Sequence, residues 1–170
     1  MDHRTFGATD LDVSLIGFGA WAIGGPAMAG TTPIGWGDVD DHVSEQAIHT
    51  ALERGVTFFD TADFYGLGHS EEILGRVLGN RPSVVIATKV GHRLQDDGSI
   101  ALDYSKRHIL EACEGSLRRL KRECIDLYQL HSARVSHFEA GECLEALEGL
   151  REEGKIRYWG LSLNTFHPEM

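Results

Sequence analysis

The chain has 170 residues, enough for one domain with a real core and too few for two of ordinary size. Apolar residues make up 42% and charged residues 25%, and 26 acids against 16 lysines and arginines leave a formal charge of −10. That balance excludes a general positive field for nucleic acid or an anionic membrane. No apolar run approaches the roughly 20 residues of a membrane helix, and the polar start Met1-Asp2-His3-Arg4 does not read as a signal peptide.

The elements follow in order. Arg4-Thr5-Phe6 and Leu11-Asp12-Val13 flank the turn Gly7-Ala8-Thr9-Asp10, which predicts a small N-terminal hairpin. Residues 13–18 form an apolar run that ends in glycine and read as the first parallel strand. Residues 24–41, rich in Gly, Thr, Pro and Asp, read as a long loop. Residues 41–54 carry a helical stripe of Ala47, Ile48, Ala51 and Leu52, with Gly55 as the stop. The run 56–59 is the next strand. Ser70 is placed to cap a helix bearing Ile73, Leu74, Val77 and Leu78. Residues 84–88 are too apolar for a half-exposed strand. Ser105 is placed to cap a long helix with Ile109, Leu110, Cys113, Leu117 and Leu120, and its basic end (Arg118, Arg119, Lys121, Arg122) complements the helix dipole. A strand over 125–130, a helix over 142–153 and a fifth strand over 157–163 complete the pattern.

Continuous apolar strands between amphipathic helices mean parallel strands covered on both faces. Two architectures fit: an open doubly wound sheet, or a (β/α) barrel. Cys113, Cys124 and Cys143 form no CxxC and leave an odd thiol, so free thiols in a reducing cytoplasm are expected.

Gly17-Phe18-Gly19-Ala20-Trp21-Ala22 formally matches a dinucleotide-binding GxGxxA. That motif works only where a helix N-terminus faces the pyrophosphate. The next residues, Ile23-Gly24-Gly25-Pro26, start no helix, so the match is rejected and the glycines are read as turn and close-approach positions.

Polar residues gather where the apolar strands stop: Asp60 and Tyr65 after the second, Lys89 after the third, His131 after the fourth and Ser162 after the fifth. Both architectures place their sites at such ends. Each residue alone has a plain structural reading, as a cap, a packing ring, a solvated lysine or a core histidine. Together they form a set. A buried lysine needs a partner, and Asp60 suits it. An ammonium beside a phenol favours the phenolate, which makes Tyr65 a proton donor for a carbonyl oxygen gaining charge. His131 can orient that oxygen. The set suits carbonyl reduction with a nicotinamide cofactor as reductant.

At these residues the chain resembles the aldo-keto reductases. The opening Arg4-Thr5-Phe6-Gly7 with Val13-Ser14-Leu15-Ile16-Gly17-Phe18-Gly19-Ala20-Trp21, then Phe59-Asp60-Thr61-Ala62-Asp63-Phe64-Tyr65-Gly66, Ala87-Thr88-Lys89-Val90, Asp126-Leu127-Tyr128-Gln129-Leu130-His131 and Gly154-Lys155-Ile156-Arg157-Tyr158-Trp159-Gly160-Leu161-Ser162 are similar to the family's segments, in order. The resemblance implies an α/β fold of parallel (β/α)8 barrel type with an N-terminal β-hairpin, here incomplete at about five strands in one domain spanning 1–170. It implies NADPH, with NADH as the alternative, and a small-molecule aldehyde or ketone. Tyr65 would be the general acid, Lys89 and Asp60 its tuning pair, and His131 the carbonyl-orienting residue. Gly19, Ala20 and Trp21 would line the nicotinamide and substrate pocket, Asp60 would also face the cofactor, and Ser162 and Asn164 would hold the carboxamide. Leu163 separates two residues that the family usually has adjacent. A complete barrel takes about 250 residues, so the chain is expected to be the N-terminal part of such a reductase. Its open edges would favour self-association or pairing with a complementing C-terminal segment.

Three alternatives stand beside this reading. One is a non-catalytic half-barrel module that pairs with another chain. Another is a complete open α/β domain with a reversal in strand order. The third is a small metal hydrolase drawing on nine histidines, which the absence of HxH and HExxH disfavours, so no metal is expected.

Overall fold

The computed structural model describes residues 1–139 and 141–163. The chain opens with an antiparallel hairpin, β1 (His3–Thr5) against β2 (Asp12–Ser14). Leu11 and Val13 of this hairpin pack on Val85 and Phe58, the first residues of later strands, so the hairpin covers the N-terminal ends of the sheet. The run 13–18 is thereby divided. Val13 and Ser14 belong to the hairpin, and the first parallel strand, β3, is only Phe18–Gly19.

Residues 24–41 are not featureless. They hold a small hairpin of β4 (Met28–Ala29) and β5 (Thr32–Pro33), preceded by a single 3-10 turn over Ala22–Gly24. The first α-helix, α1 (Asp41–Glu53), starts only at Asp40, whose side chain caps His42 N at 2.8 Å, and Ile48 is its fully buried residue. No α-helix therefore starts at the GxGxxA match, only a single 3-10 turn, in keeping with its rejection. Next come β6 (Phe58–Asp60), α2 (His69–Val77) and β7 (Val85–Val90), in which every residue is buried. A second outlying hairpin, β8 (His92–Leu94) with β9 (Ile100–Leu102), leads to α3 (Lys106–Leu120). The chain continues through β10 (Ile125–His131), α4 (Glu142–Glu152) and β11 (Ile156–Ser162).

The main sheet runs β3-β6-β7-β10-β11, every pair parallel. Spatial order equals chain order, with no reversal. A doubly wound sheet needs such a reversal, so this is the arrangement of a partial barrel, with β3, β6, β7 and β10 each followed by a covering helix, α1 to α4. Both faces of β7 and nearly all of β10 are buried because the strands lie between layers. Ile73 and Leu74 of α2, Ile109 and Leu120 of α3, and Leu147 and Leu150 of α4 supply the outer layer. Burying such a side chain contributes about 1.5–3 kcal/mol.

Two local expectations are revised. Ser105 does cap α3 through His108 N, but Ser70 caps nothing. Ser70 lies inside α2 and bonds the Ala20 carbonyl at 2.7 Å and the Thr61 hydroxyl at 2.8 Å, tying the helix to two strand ends. The basic end of α3 likewise does more than complement a dipole. Arg119 donates to the fully buried Glu71 at 2.7 Å, and Arg122 donates to Asp126 at 2.7 Å and to three carbonyls.

Candidate active site

The site lies at the C-terminal ends of the parallel strands. Asp60 is the last residue of β6. Beyond it the backbone still bonds to β7, through Thr61 N to Ala87 O at 2.8 Å and Asp63 N to Lys89 O at 3.2 Å. The chain then turns back over the strand ends in a short 3-10 stretch, Tyr65–Gly68. Gly66 sits there at φ 61°, and a Cβ on it would lie 2.0 Å from the Gly24 carbonyl oxygen. That backbone contact fixes where Tyr65 stands, and only glycine permits it.

Lys89 reaches the same point from the interior of β7. It is 4% exposed, and its ammonium donates to Asp60 Oδ1 at 2.5 Å, to the Thr61 carbonyl at 2.8 Å and to the Tyr65 hydroxyl oxygen at 3.2 Å. Three donors thus meet three acceptors. Because the Tyr65 oxygen accepts from Lys89, the phenol's own proton points elsewhere. Among the described residues it has no acceptor. Asp60 Oδ2 has a long contact, 3.5 Å, from Gln129 Nε2.

His131 ends β10, buried, with its ring edge-on to Tyr65 at 5.7 Å between centroids. Burial, with the neighbouring His92 and Lys89, pushes its pKa down to about 3, so the imidazole is neutral at ordinary pH. Its Nδ1 is sealed without a partner, which leaves Nε2 as the nitrogen open to the cleft. An orphaned buried N–H is costlier than an orphaned lone pair, so the proton belongs on Nε2. The Tyr104 hydroxyl holds the His131 carbonyl at 2.5 Å.

Tyr65 and His131 line a cleft of about 330 Å³ with Trp21, Phe64 and His92. Its outer wall is Ile34, just after the first outlying hairpin, and Ile100 from the second. Trp21 is 46% exposed and lies 6.1 Å from the Tyr65 ring.

The sequence-predicted residues fall as follows. Asp60, Tyr65, Lys89 and His131 converge. Gly19 closes β3 in register with Asp60, and a Cβ added to it would meet nothing within 4 Å. Ala20 is fully buried in the apolar core, whereas Gly19 and Trp21 of the same turn present surface. Ser162 ends β11 in register with His131. Asn164 lies outside the described residues.

Gln129 and His92 were not anticipated. Gln129 was legible, being two residues before His131 on the same face of its strand. His92 follows a turn whose direction the sequence does not state. Among the described residues no three metal-ligating side chains come together, and no helix is long and apolar enough to cross a membrane. The cysteines are free, with Cys113 and Cys143 buried.

Comparison with known proteins adds to this geometry. The sequence model described as the Aldo/keto reductase family matches residues 15–169. The chain is 39% identical over 165 residues to an uncharacterized oxidoreductase of Bacillus subtilis, YqkF, covering 95% of this chain and 49% of that protein. It is 36% identical to the aldo-keto reductase YhdN of the same organism, covering 95% and 47%. Among solved structures, the holo form of aldo-keto reductase AKR11C1 from Bacillus halodurans superposes with a TM-score of 0.83 at 37% identity, over 96% of this chain and 51% of that one. The glycerol dehydrogenase AKR11B4 from Gluconobacter oxydans does so with a TM-score of 0.79 at 36% identity, over 99% and 50%. The chain spans about half the length of the curated relatives it matches.

Proposed function

The chain belongs to the aldo/keto reductase family, and on that premise we propose that it carries the carbonyl-binding and proton-donating part of a nicotinamide-dependent reductase acting on aldehydes or ketones. One observation carries the reading: Lys89 donates to both Asp60 and Tyr65, while the Tyr65 and His131 rings line one cleft.

In this reading the substrate carbonyl enters between Trp21 and His131. Nε2–H of the neutral His131 hydrogen-bonds the carbonyl oxygen and fixes its direction. Tyr65 gives its free proton to that oxygen as charge develops there. The Lys89 ammonium stabilises the phenolate left behind, and Asp60 keeps the ammonium in place. Low exposure of Lys89 raises the worth of each of these interactions.

The described residues fit the nicotinamide end of the cofactor, which we propose is NADPH, with NADH as the alternative. Ser162 offers a hydroxyl beside His131, and Gly19 leaves its face of the backbone open. When bound, the cofactor supplies the hydride. Arg119 and Arg122 are already committed to Glu71 and Asp126 and are not free to hold its phosphates.

A second reading is favoured by the edges. Among the described residues β3 and β11 each have one neighbour in the sheet, and Leu161 and Leu163 stand exposed at the β11 end. In that reading the chain is a half-barrel that pairs through these edges, with a complementing C-terminal segment or with a second copy. Free thiols are consistent with the cytoplasmic setting we propose for either role.

The test is NADPH absorbance with a generic aldehyde. A Tyr65-dependent fall supports the reductase reading. No fall, together with a melting temperature that rises with chain concentration, supports the pairing module.

A further inference from the structure

His92 faces the cleft from outside the sheet. The chain leaves β7 at Val90, turns at Gly91 (φ 137°), and enters the second outlying hairpin. A Cβ on Gly91 would lie 2.3 Å from the Tyr104 ring, so the turn is seated on that ring. The same Tyr104 hydroxyl holds the His131 carbonyl. This common anchor brings the His92 ring to 4.4 Å from the His131 ring, and the Phe64 ring lies 5.2 Å from it.

The two imidazoles share one condition. Each has a buried Nδ1 without a partner, so each keeps its proton on Nε2, the nitrogen open to the cleft. The cleft therefore holds two histidine N–H donors side by side, in a wall otherwise made of aromatic and aliphatic groups. His131 serves the carbonyl oxygen in the reaction proposed above. His92 has no role in that chemistry and no hydrogen-bond partner at Nδ1.

We propose that His92 is a specificity-determining residue, whose Nε2–H binds an oxygen on the carbon next to the carbonyl. The preferred substrate class is then the α-hydroxy aldehydes and ketones. With ring centroids 4.4 Å apart, the two donors are close enough for one small molecule to meet both through oxygens on adjacent carbons, and the rings of Trp21 and Phe64 line the same cleft beside its carbon chain. The identity of the reacting carbonyl rests on the reductase reading; the second donor site does not.

The experiment titrates the full chain with hydroxyacetone and with acetone, reading the imidazole resonances of His92 and His131 by NMR. Wild type should bind hydroxyacetone about tenfold more tightly, the effect of one hydrogen bond between uncharged groups. His92→Phe keeps the ring stack and removes the donor, so it should erase the preference. His92→Gln loses the ring and keeps a donor, so it should retain it. The proposal is overturned if neither ketone shifts the rings, if both bind equally, or if the preference survives in His92→Phe and disappears in His92→Gln, which would make His92 a mere buttress. A retained preference without any NADPH oxidation would remove the reductase reading and leave the His92 site standing.

Discussion

At the N-terminal ends of the strands, Asp126 accepts from Arg122 at 2.7 Å, from Arg157 at 3.0 Å and from Ile86 N at 2.9 Å, and Arg122 spends its remaining donors on carbonyls. At the C-terminal ends, Lys89 is as fully satisfied, yet the groups around it are not: with Nδ1 sealed and bare, His131 and His92 each turn an Nε2–H to the cleft, and the Tyr65 proton has no acceptor among the described residues. Both ends bury charge against carboxylates. At the first, each bond is closed within the protein, and the cluster holds the sheet together. At the second, donors are left over and converge on a cleft, where they can serve a ligand. Unspent hydrogen-bonding capacity is what separates the two ends, more than burial or charge.

The sharpest way to break this comparison is at Tyr65. Tyr65→Phe should lower turnover by about 10²–10⁴-fold, the usual worth of a positioned proton donor, while the denaturation midpoint stays near that of wild type. Loss of folding with activity per folded molecule intact would mean that the two ends do not differ. At the opposite end, Asp126→Ala should cost about 3 kcal/mol in urea denaturation, because it leaves a buried guanidinium uncompensated. Any turnover retained by the folded fraction should be unaltered.

A pH series sharpens the contrast. His131 has its folded-state pKa lowered to about 3 from an ordinary 6.5, so the unfolded chain takes up the proton first. The stabilisation from the neutral ring is whole above pH 6.5 and declines as pH falls toward 3. Asp63, whose carboxyl burial pushes upward, acts in the opposite sense. The His131 share is therefore the difference between wild type and His131→Gln, measured as urea midpoints at pH 7, 5 and 4. The smallest effect belongs to the surface: Arg107→Ala removes an exposed pair with Glu111 and should leave the melting temperature unchanged.

Where periodicity carried the signal, the sequence was readable. The stripes of α1 to α4, the apolar run that opens β7 and the caps or stops at Ser105 and Gly55 are local properties of neighbouring residues. So was the convergence of Asp60, Tyr65, Lys89 and His131, because parallel strands deliver their ends to one side. Long-range backbone contacts were not readable. Ser70 looks like a cap, and only the packing of α2 against Ala20 turns its hydroxyl inward. The sequence does not show that Ala20, between two surface residues, packs into the core. The division of residues 13–18 between hairpin and sheet depends on which strand each half meets. Arg119 reads as a dipole-complementing charge, and its buried partner Glu71 is 48 residues away.

Tyr104 touches both halves of the double-histidine wall, its ring under Gly91 and its hydroxyl on the His131 carbonyl. Any side chain at position 91 must displace that ring, and the displaced ring would release the carbonyl. Among natural variants, positions 91 and 104 should accordingly change as a linked pair, and a lone replacement at either should loosen two imidazoles with a single stroke.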